Sequence, residues 1–429
     1  MSNSYQQNAK TPSGPVSATP AGATWGGFRG LLKQYAGAAA GYSLRKIGNG
    51  PVVRLRRGSD NAEKDFSAGE VIGSVEGSEL IAEPDFETST GWTNFDGYWT
   101  VTGGQAVCDG LQTGYTSLGG SADFPSSEWN ILEIDIAACS DFDNVRFYVG
   151  SFYSLSEMGL TAPGVVRVLC RNIPTSNFRV DANTGVTCTI NRISVKPYTP
   201  TASEAWAADN MGGNNRKISE LSLDSAYATT WYDQSGSGNN ATQATAASQP
   251  LLIRAGVTNT ENGKPALSFD GVDDDMAAGS GWFPTASDYL ASSVFSYSGS
   301  AGGDSCLFGT GGAANGFWYV NTDFGTATDQ VRVYNDSEVF VGSSLLSAGQ
   351  VLYSFDKVGD NEGGTYNGVA DGTGTRTTTN DDNAFTIASH PTSARLFTGN
   401  IQELVVYPSD QSANQSGIEG NINDHYGIY

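Results

Sequence analysis

Leu132-Glu133-Ile134-Asp135-Ile136 alternates apolar and acidic side chains at every step. A period of two is the signature of a β-strand with one face buried and one face wet. Two neighbouring stretches repeat it. Val145, Phe147 and Val149 alternate with Arg146 and Tyr148, and Val166, Val168 and Cys170 alternate with Arg167, Leu169 and Arg171. Tyr98-Trp99-Thr100-Val101 and Gln105-Ala106-Val107-Cys108 flank Thr102-Gly103-Gly104, which predicts a hairpin. Short strands spaced by turns predict a sandwich or jelly roll between about Glu79 and Tyr198.

The whole chain has the same texture. It has 429 residues, enough for two or three domains or one large all-β unit with additions. Hydrophobic residues are 38% and charged residues 16%, with 54 Gly filling much of the gap. Aromatics at 11% exclude a disordered chain, and the turn-rich composition excludes helical bundles and coiled coils. Lys and Arg number 23 against 45 Asp and Glu, a net charge of −22. Such a surface repels a phosphate backbone, so no nucleic-acid partner is expected, and none at an anionic membrane. No apolar run approaches the length of a transmembrane helix. The start, Met1 to Asn8, lacks a basic and an apolar region, so no secretory signal peptide is expected. Cys108, Cys139, Cys170, Cys188 and Cys306 form no metal-ligand spacing. They read as small buried hydrophobes, with one disulfide among the first four as the alternative.

Outward from the middle unit, residues 1–24 are rich in Pro, Ser and Ala and predict an extended arm. Phe28, Leu31, Leu32 and Tyr35 put an apolar face on a short helix after it. Residues 51–57 read as a strand. After residue 200 the texture of residues 41–73 returns, with strand candidates at 228–232, 266–269, 293–297, 318–321, 331–334, 351–355 and 401–407. The tail fits a helix with Ile418 and Ile422 one turn apart.

Trp231-Tyr232-Asp233-Gln234-Ser235-Gly236-Ser237-Gly238-Asn239 resembles a turn in the catalytic domain of the fungal-type α-L-arabinofuranosidase B family. Tyr42 to Lys46, Arg54 to Asp60, Asn262 to Ala266 and Tyr407 to Asp410 are similar to its first helix and strand, a later strand and its end. The resemblance implies a concanavalin A-like, laminin-G-like β-sandwich over residues 41–73 and 200–429. The same module recurs in bacteriophage virion and tail proteins. Residues 74–199 look like the carbohydrate-binding-module jelly rolls that accompany it. The expected architecture is therefore all-β: a 1–40 arm and short helix, a discontinuous sandwich, and a jelly roll nested in it.

The resemblance also implies where sugar chemistry would sit. A glycosidase needs two carboxylates facing the sugar. The family's nucleophile follows a Trp-led strand, here Gly316 to Asp323, where Asp323 is the sole acid and stands one position off. The acid/base turn corresponds to Ile387-Ala388-Ser389-His390-Pro391, with no carboxylate, and a lone loop histidine such as His390 reads as structural. The family's vicinal cysteine pair is here Ser305-Cys306. These departures favour a non-enzyme. Trp92, Tyr98 and Trp318 are candidate carbohydrate-stacking rings, while Trp99 alternates with Val101 and reads as core. Asp233 and Gln234 are either sugar contacts or caps of their own turn. Gly271 to Asp275 and Asn380 to Asn383 offer oxygen ligands for a structural Ca²⁺, and no other cofactor is expected.

The expected function is a non-enzymatic surface protein of a phage virion (head decoration, fibre or tail component) that binds host glycans. The alternatives are a glycoside hydrolase of arabinofuranosidase type and a cellular lectin or adhesin. The arm is expected to dock on virion subunits or on its own copies in a homo-oligomer.

Overall fold

Strand Thr398–Tyr407 is the hub of the larger unit in this computed structural model. Leu267–Asp270 and Ala40–Ser43 share one of its edges, and Tyr289–Tyr297 lies along the other. The sheet continues through Gln350–Val358, Asn361–Tyr366 and Val369–Thr375, all antiparallel. The structure describes residues 30–120, 129–148, 152–171, 178–208, 220–221, 224–284, 287–298, 305–311, 317–321, 330–335, 337–346, 349–376, 384–391 and 395–429.

A second row of strands begins Glu63–Phe66, Val53–Arg57, Ala226–Trp231, Ala241–Thr242, Met276–Ala277. It runs on through Phe385–Ile387, Ser305–Thr310, Phe317–Asn321, Gln330–Asn335 and Ser337–Leu345. Leu251–Arg254 pairs with both Ala226–Trp231 and Leu267–Asp270 and so ties the rows together. Side chains from both rows meet in one core that includes Tyr42, Leu55, Trp231, Phe295, Phe308 and Val406. This core draws on residues 40–71 and 207–406.

Residues 81–195, joined by Ala255, build a separate core. One sheet runs Phe152–Ser154, Val145–Tyr148, Arg179–Ala182, Thr116–Gly120, Trp92–Asn94. The other runs Glu220–Leu221, Gly164–Arg171, Trp129–Cys139, Thr187–Thr199, Gln105–Asp109, Trp99–Thr102, with Val75–Glu76 beside Thr187–Thr199. The fold is all-β, as the period-two alternation requires.

Local readings hold where the pattern is strong. Leu132, Ile134 and Ile136 are all buried, and Gly103 and Gly104 take the positive φ that the hairpin turn needs. Trp99 points into the core, as its alternation with Val101 predicts. The terminal helix Gln415–Tyr426 buries Ile418, Ile422 and Tyr426 against Leu31 of the short helix Leu31–Gln34. The arm and Phe28 lie outside the described residues. Strands Asn361–Tyr366 and Val369–Thr375 escaped the sequence reading, because NEGGTY and VADGTGT carry almost no β-branched apolar residue.

Candidate functional site

In the five-stranded sheet, Val145, Phe147, Val180, Ala182 and Leu118 fill the core. The residues between them therefore face outward. Register sets them in rows: Ser154, Arg146, Asp181 and Ser117 lie side by side, and Phe152, Tyr148, Arg179 and Gly119 form the next row. Asp181 is only 2% exposed. It accepts a hydrogen bond from Ser117 Oγ at 2.8 Å and pairs with Arg179 at 3.1 Å and Arg146 at 3.7 Å. Two guanidiniums share that one carboxylate, and at the ends of the row Asp96 accepts from the Ser117 amide at 3.3 Å and Glu157 from the Ser154 amide at 2.7 Å.

Aromatic rings frame those charges. The Arg146 guanidinium lies 3.6 Å from the Tyr115 ring centroid and 4.0 Å from that of Phe152. Arg179 lies 5.1 Å from the Tyr148 ring and 5.2 Å from Phe152. Cation–π contact of this kind holds long arginine side chains in place. Phe95 covers Gly119 so closely that a Cβ there would meet its ring at 2.6 Å. The ring is nonetheless 61% exposed, so one face lies on the sheet and the other is open. Tyr115 and Phe152 are exposed as well. A flat apolar ring beside fixed donors is what a pyranose asks for: a surface for its C–H face and partners for its hydroxyls.

The residues singled out from the sequence fall elsewhere. Trp92 is 8% exposed, packs tilted against Phe86 with ring centroids 4.8 Å apart and donates its Nε1 proton to the Glu83 carbonyl at 2.8 Å. It is a core ring, which corrects the stacking-platform reading. It sits next to Gly91, whose positive φ turns the chain inward at that point. Tyr98 is half-buried beside Trp99–Thr102, a strand of the other sheet.

Asp233 and Gln234 are also corrected, from sugar contacts to supports of the turn. Asp233 Oδ1 accepts from the Gly41 and Ser235 amides at 2.9 and 2.8 Å. Its Oδ2 accepts from Ser235 Oγ and the Asn239 amide at 2.8 and 3.1 Å. Gln234 accepts from the Ile47 and Gly48 amides and donates to the Ser43 and Arg45 carbonyls. Every polar atom of both side chains is thereby engaged inside the fold. Trp318 belongs to strand Phe317–Asn321, while Asp323 and Asn380 to Asn383 lie outside the described residues.

His390 is 4% exposed, and burial together with the charge of Arg395 holds its imidazole down at about 4. It is neutral near pH 7 and poorly placed to donate a proton to a leaving group. His425, on the terminal helix, is held at about 4 by burial and by Arg45.

Asp270, Asp273 and Asp274 bring carboxylate oxygens within 4.8 Å of one another. Such oxygens are the ligand type Ca²⁺ takes, and three of them supply part of the usual six to eight. Asp275, from the same stretch, turns away to Ser389 Oγ at 2.9 Å. Burial, then the neighbouring aspartates, pushes the Asp274 carboxyl up to about 7. A carboxyl raised on folding lends stability below its unfolded value, near 4, and loses it as pH rises through 7. Asp274→Asn is therefore expected to melt above the parent at pH 8, with the difference vanishing at pH 4. Equal melting temperatures at pH 8 would show that the carboxyl is not raised.

A cleft of about 510 Å³ lies on the larger unit, lined by Lys33, Arg45, Lys46 and His425 among others. Its Arg45 is already neutralised by Glu403, and Lys33 and Lys46 are exposed, so fixed chemistry is poorer there than on the arginine face.

No protein-family model and no curated protein matches the chain. Among solved structures, an arabinofuranosidase complexed with arabinofuranosyl-α-1,2-xylobiose is 13% identical with a TM-score of 0.44. The match covers 91% of this chain and 64% of that one, so the chain spans less than two thirds of that enzyme's length. Domain 4 of an extracellular GH43 arabinanase from Geobacillus stearothermophilus, solved with arabinotriose, is 15% identical over 36% of this chain and 76% of that one, TM-score 0.32. A putative carbohydrate binding protein from Bacteroides ovatus is 11% identical over 72% of this chain and 80% of that one, TM-score 0.28. Overlaps this loose carry no argument about activity.

Proposed function

We propose that the chain is a carbohydrate-binding protein whose inserted sandwich holds sugars on the outer face of its five-stranded sheet. The observation that carries this reading is the face itself: Phe95 open over Gly119, Tyr115 and Phe152 flanking Arg146, and Arg179 pinned by buried Asp181. The rings supply stacking area and the pinned guanidiniums supply hydrogen-bond donors without further ordering.

The test is a glycan array probed with the full chain, followed by titration of the best-retained glycan. Phe95→Ala and Arg179→Ala are each expected to weaken binding about tenfold, a change of about 1.4 kcal/mol. The melting temperature of Phe95→Ala should move little, since that ring is mostly exposed. No glycan retained, or binding that survives both substitutions, would overturn the reading.

The narrower proposal is a non-enzymatic surface component of a phage virion, docked through residues 1–24. The resemblance of residues 41–73 and 200–429 to virion modules and the acidic body support it. Deleting residues 2–24 should leave folding intact and abolish incorporation into particles or self-assembly; unchanged assembly would defeat it. The glycosidase reading has less support, because the place of the acid/base carboxyl holds a buried neutral histidine. Release of nitrophenol from nitrophenyl glycosides, lost in Asp323→Asn, would restore it.

A further inference from the structure

Three adjacent strands of the inserted sandwich bring three cysteines abreast. Cys188 of Thr187–Thr199 stands opposite Cys139 of Trp129–Cys139 on one side and opposite Cys108 of Gln105–Asp109 on the other. All three pack on the same core, Cys108 and Cys188 buried and Cys139 half-buried at the end of its strand. All are free thiols in the structure.

The register decides which pair is placed to join. The Ser140 amide donates to the Thr187 carbonyl at 3.0 Å, so residues 140 and 187 are a hydrogen-bonded pair. Antiparallel pairs alternate, so Cys139 and Cys188, one step along, are a non-hydrogen-bonded pair. Opposed residues of that type have Cα atoms about 4.5 Å apart, within the range of about 4.4–6.8 Å that a disulfide spans. By the same alternation Cys188 and Cys108 form the hydrogen-bonded kind; their Cα atoms, about 5.5 Å apart, fall in the same range, but the side chains of such a pair lie farther apart, which favours Cys139 as the partner of Cys188.

We propose that Cys139 and Cys188 are a redox-active pair that closes a cross-strand disulfide on meeting a small-molecule disulfide such as oxidised glutathione. The Cys139 thiolate attacks one sulfur of that oxidant, forms a mixed disulfide and releases one thiolate. Cys188, deprotonated in turn, attacks Cys139 Sγ and expels the second. Two cysteine thiols are oxidised, the oxidant's disulfide is reduced to two thiols, and the two protons pass to the departing sulfurs. The order of attack follows from the thiols' surroundings. Cys139 is the more exposed, and its hydrogen bond with Cys188 draws its pKa down, while that bond and burial push Cys188 up.

The bridge spans residues 140–187. That loop contains Val145–Tyr148, Phe152–Ser154 and Arg179–Ala182, and so Arg146, Tyr148, Phe152, Arg179 and Asp181. Oxidation would staple the base of the arginine-aromatic face and narrow the unfolded ensemble. The bond stands whether or not that face binds sugar; only its consequence for binding rests on the proposed function.

The full chain is incubated with oxidised glutathione or with dithiothreitol, unfolded, alkylated and mapped by mass spectrometry. Two of the five cysteines should escape alkylation after oxidation, in one cross-linked peptide pair carrying Cys139 and Cys188. The melting temperature should rise by about 5 °C or more over the reduced form. Cys139→Ser should remove cross-link and rise together, while Cys108→Ser should leave both. Five alkylated cysteines after oxidation, or a bridge that omits Cys139, would overturn the proposal. Because the parent chain alone gives this result, the outcome does not depend on a variant folding. Glycan titration of the two redox forms is a separate readout: a cross-link without glycan binding refutes the proposed function and leaves the pair intact.

Discussion

Glu403→Gln is expected to lower folding stability by about 3–5 kcal/mol, in the range seen when one partner of a buried ion pair is removed. Glu403 is 0% exposed and Arg45 3%. The carboxylate accepts from Arg45 Nε at 2.7 Å, Arg45 Nη2 at 2.9 Å, Ser43 Oγ at 2.8 Å and Tyr426 Oη at 3.1 Å. Glutamine keeps the size and loses the charge, so the Arg45 cation stays buried with no anion against it. Its amide group also turns donors toward a site built from donors. Ser43 ends the first strand and Arg45 follows just after it, while Glu403 lies on the hub strand and Tyr426 on the last helix, far apart in sequence. Urea denaturation followed by tryptophan fluorescence measures the loss. Arg45→Met combined with Glu403→Met should recover much of it, since no charge is then left buried. A loss below about 1 kcal/mol for the single variant would mean that water reaches the pair.

Asp233→Ala should cost about 3 kcal/mol. Four donors lose their acceptor at once: the amides of Gly41, Ser235 and Asn239 and the Ser235 hydroxyl. Each buried donor left unmade is penalised by about 1–3 kcal/mol, less where water reaches it, as at the exposed Gly236-Ser237-Gly238 end of the turn. Asp233→Asn should also destabilise, because one of its two terminal atoms would be a donor facing donors. Thermal unfolding of the three proteins in parallel tests the order parent, Asn, Ala. An alanine variant as stable as the parent would show that the turn holds itself by backbone alone. The glycan titration should meanwhile be unmoved by Asp233→Asn, as that carboxylate is remote in the sheet pairing from Arg146 and Asp181.

Some of the site was legible and most was not. The alternation of Val145 and Phe147 with Arg146 and Tyr148 already placed an arginine and a tyrosine on an outer face. It did not show that Arg179 and Asp181, over thirty residues later, would lie beside them in register. Phe95 and Tyr115 escaped notice because they stand in irregular segments with no period to read. Trp92 departs from its sequence expectation for a related reason. A tryptophan after Thr90-Gly91 looks open in one dimension, yet the turn at Gly91 carries it onto Phe86. The turn at Asp233 stood out by its composition, and composition alone cannot tell a carboxylate that faces a ligand from one that faces its own backbone.

By itself the sequence determined the class of structure. A period of two in side-chain polarity can bury one face only as a strand, and glycines at Gly103 and Gly104 admit the turn that joins two of them. Net charge made a polyanionic partner unexpected, through long-range repulsion. The tertiary structure alone decided which polar groups are supports and which are presented. That depends on which strand lies next to which, and pairing is chosen by cores assembled from residues hundreds of positions apart, such as Tyr42 and Val406. An aspartate whose donors come from Gly41 is a brace, and an aspartate braced by Ser117 beneath two outward arginines is part of a surface. The two are the same residue type, and only the neighbours supplied by the fold separate them.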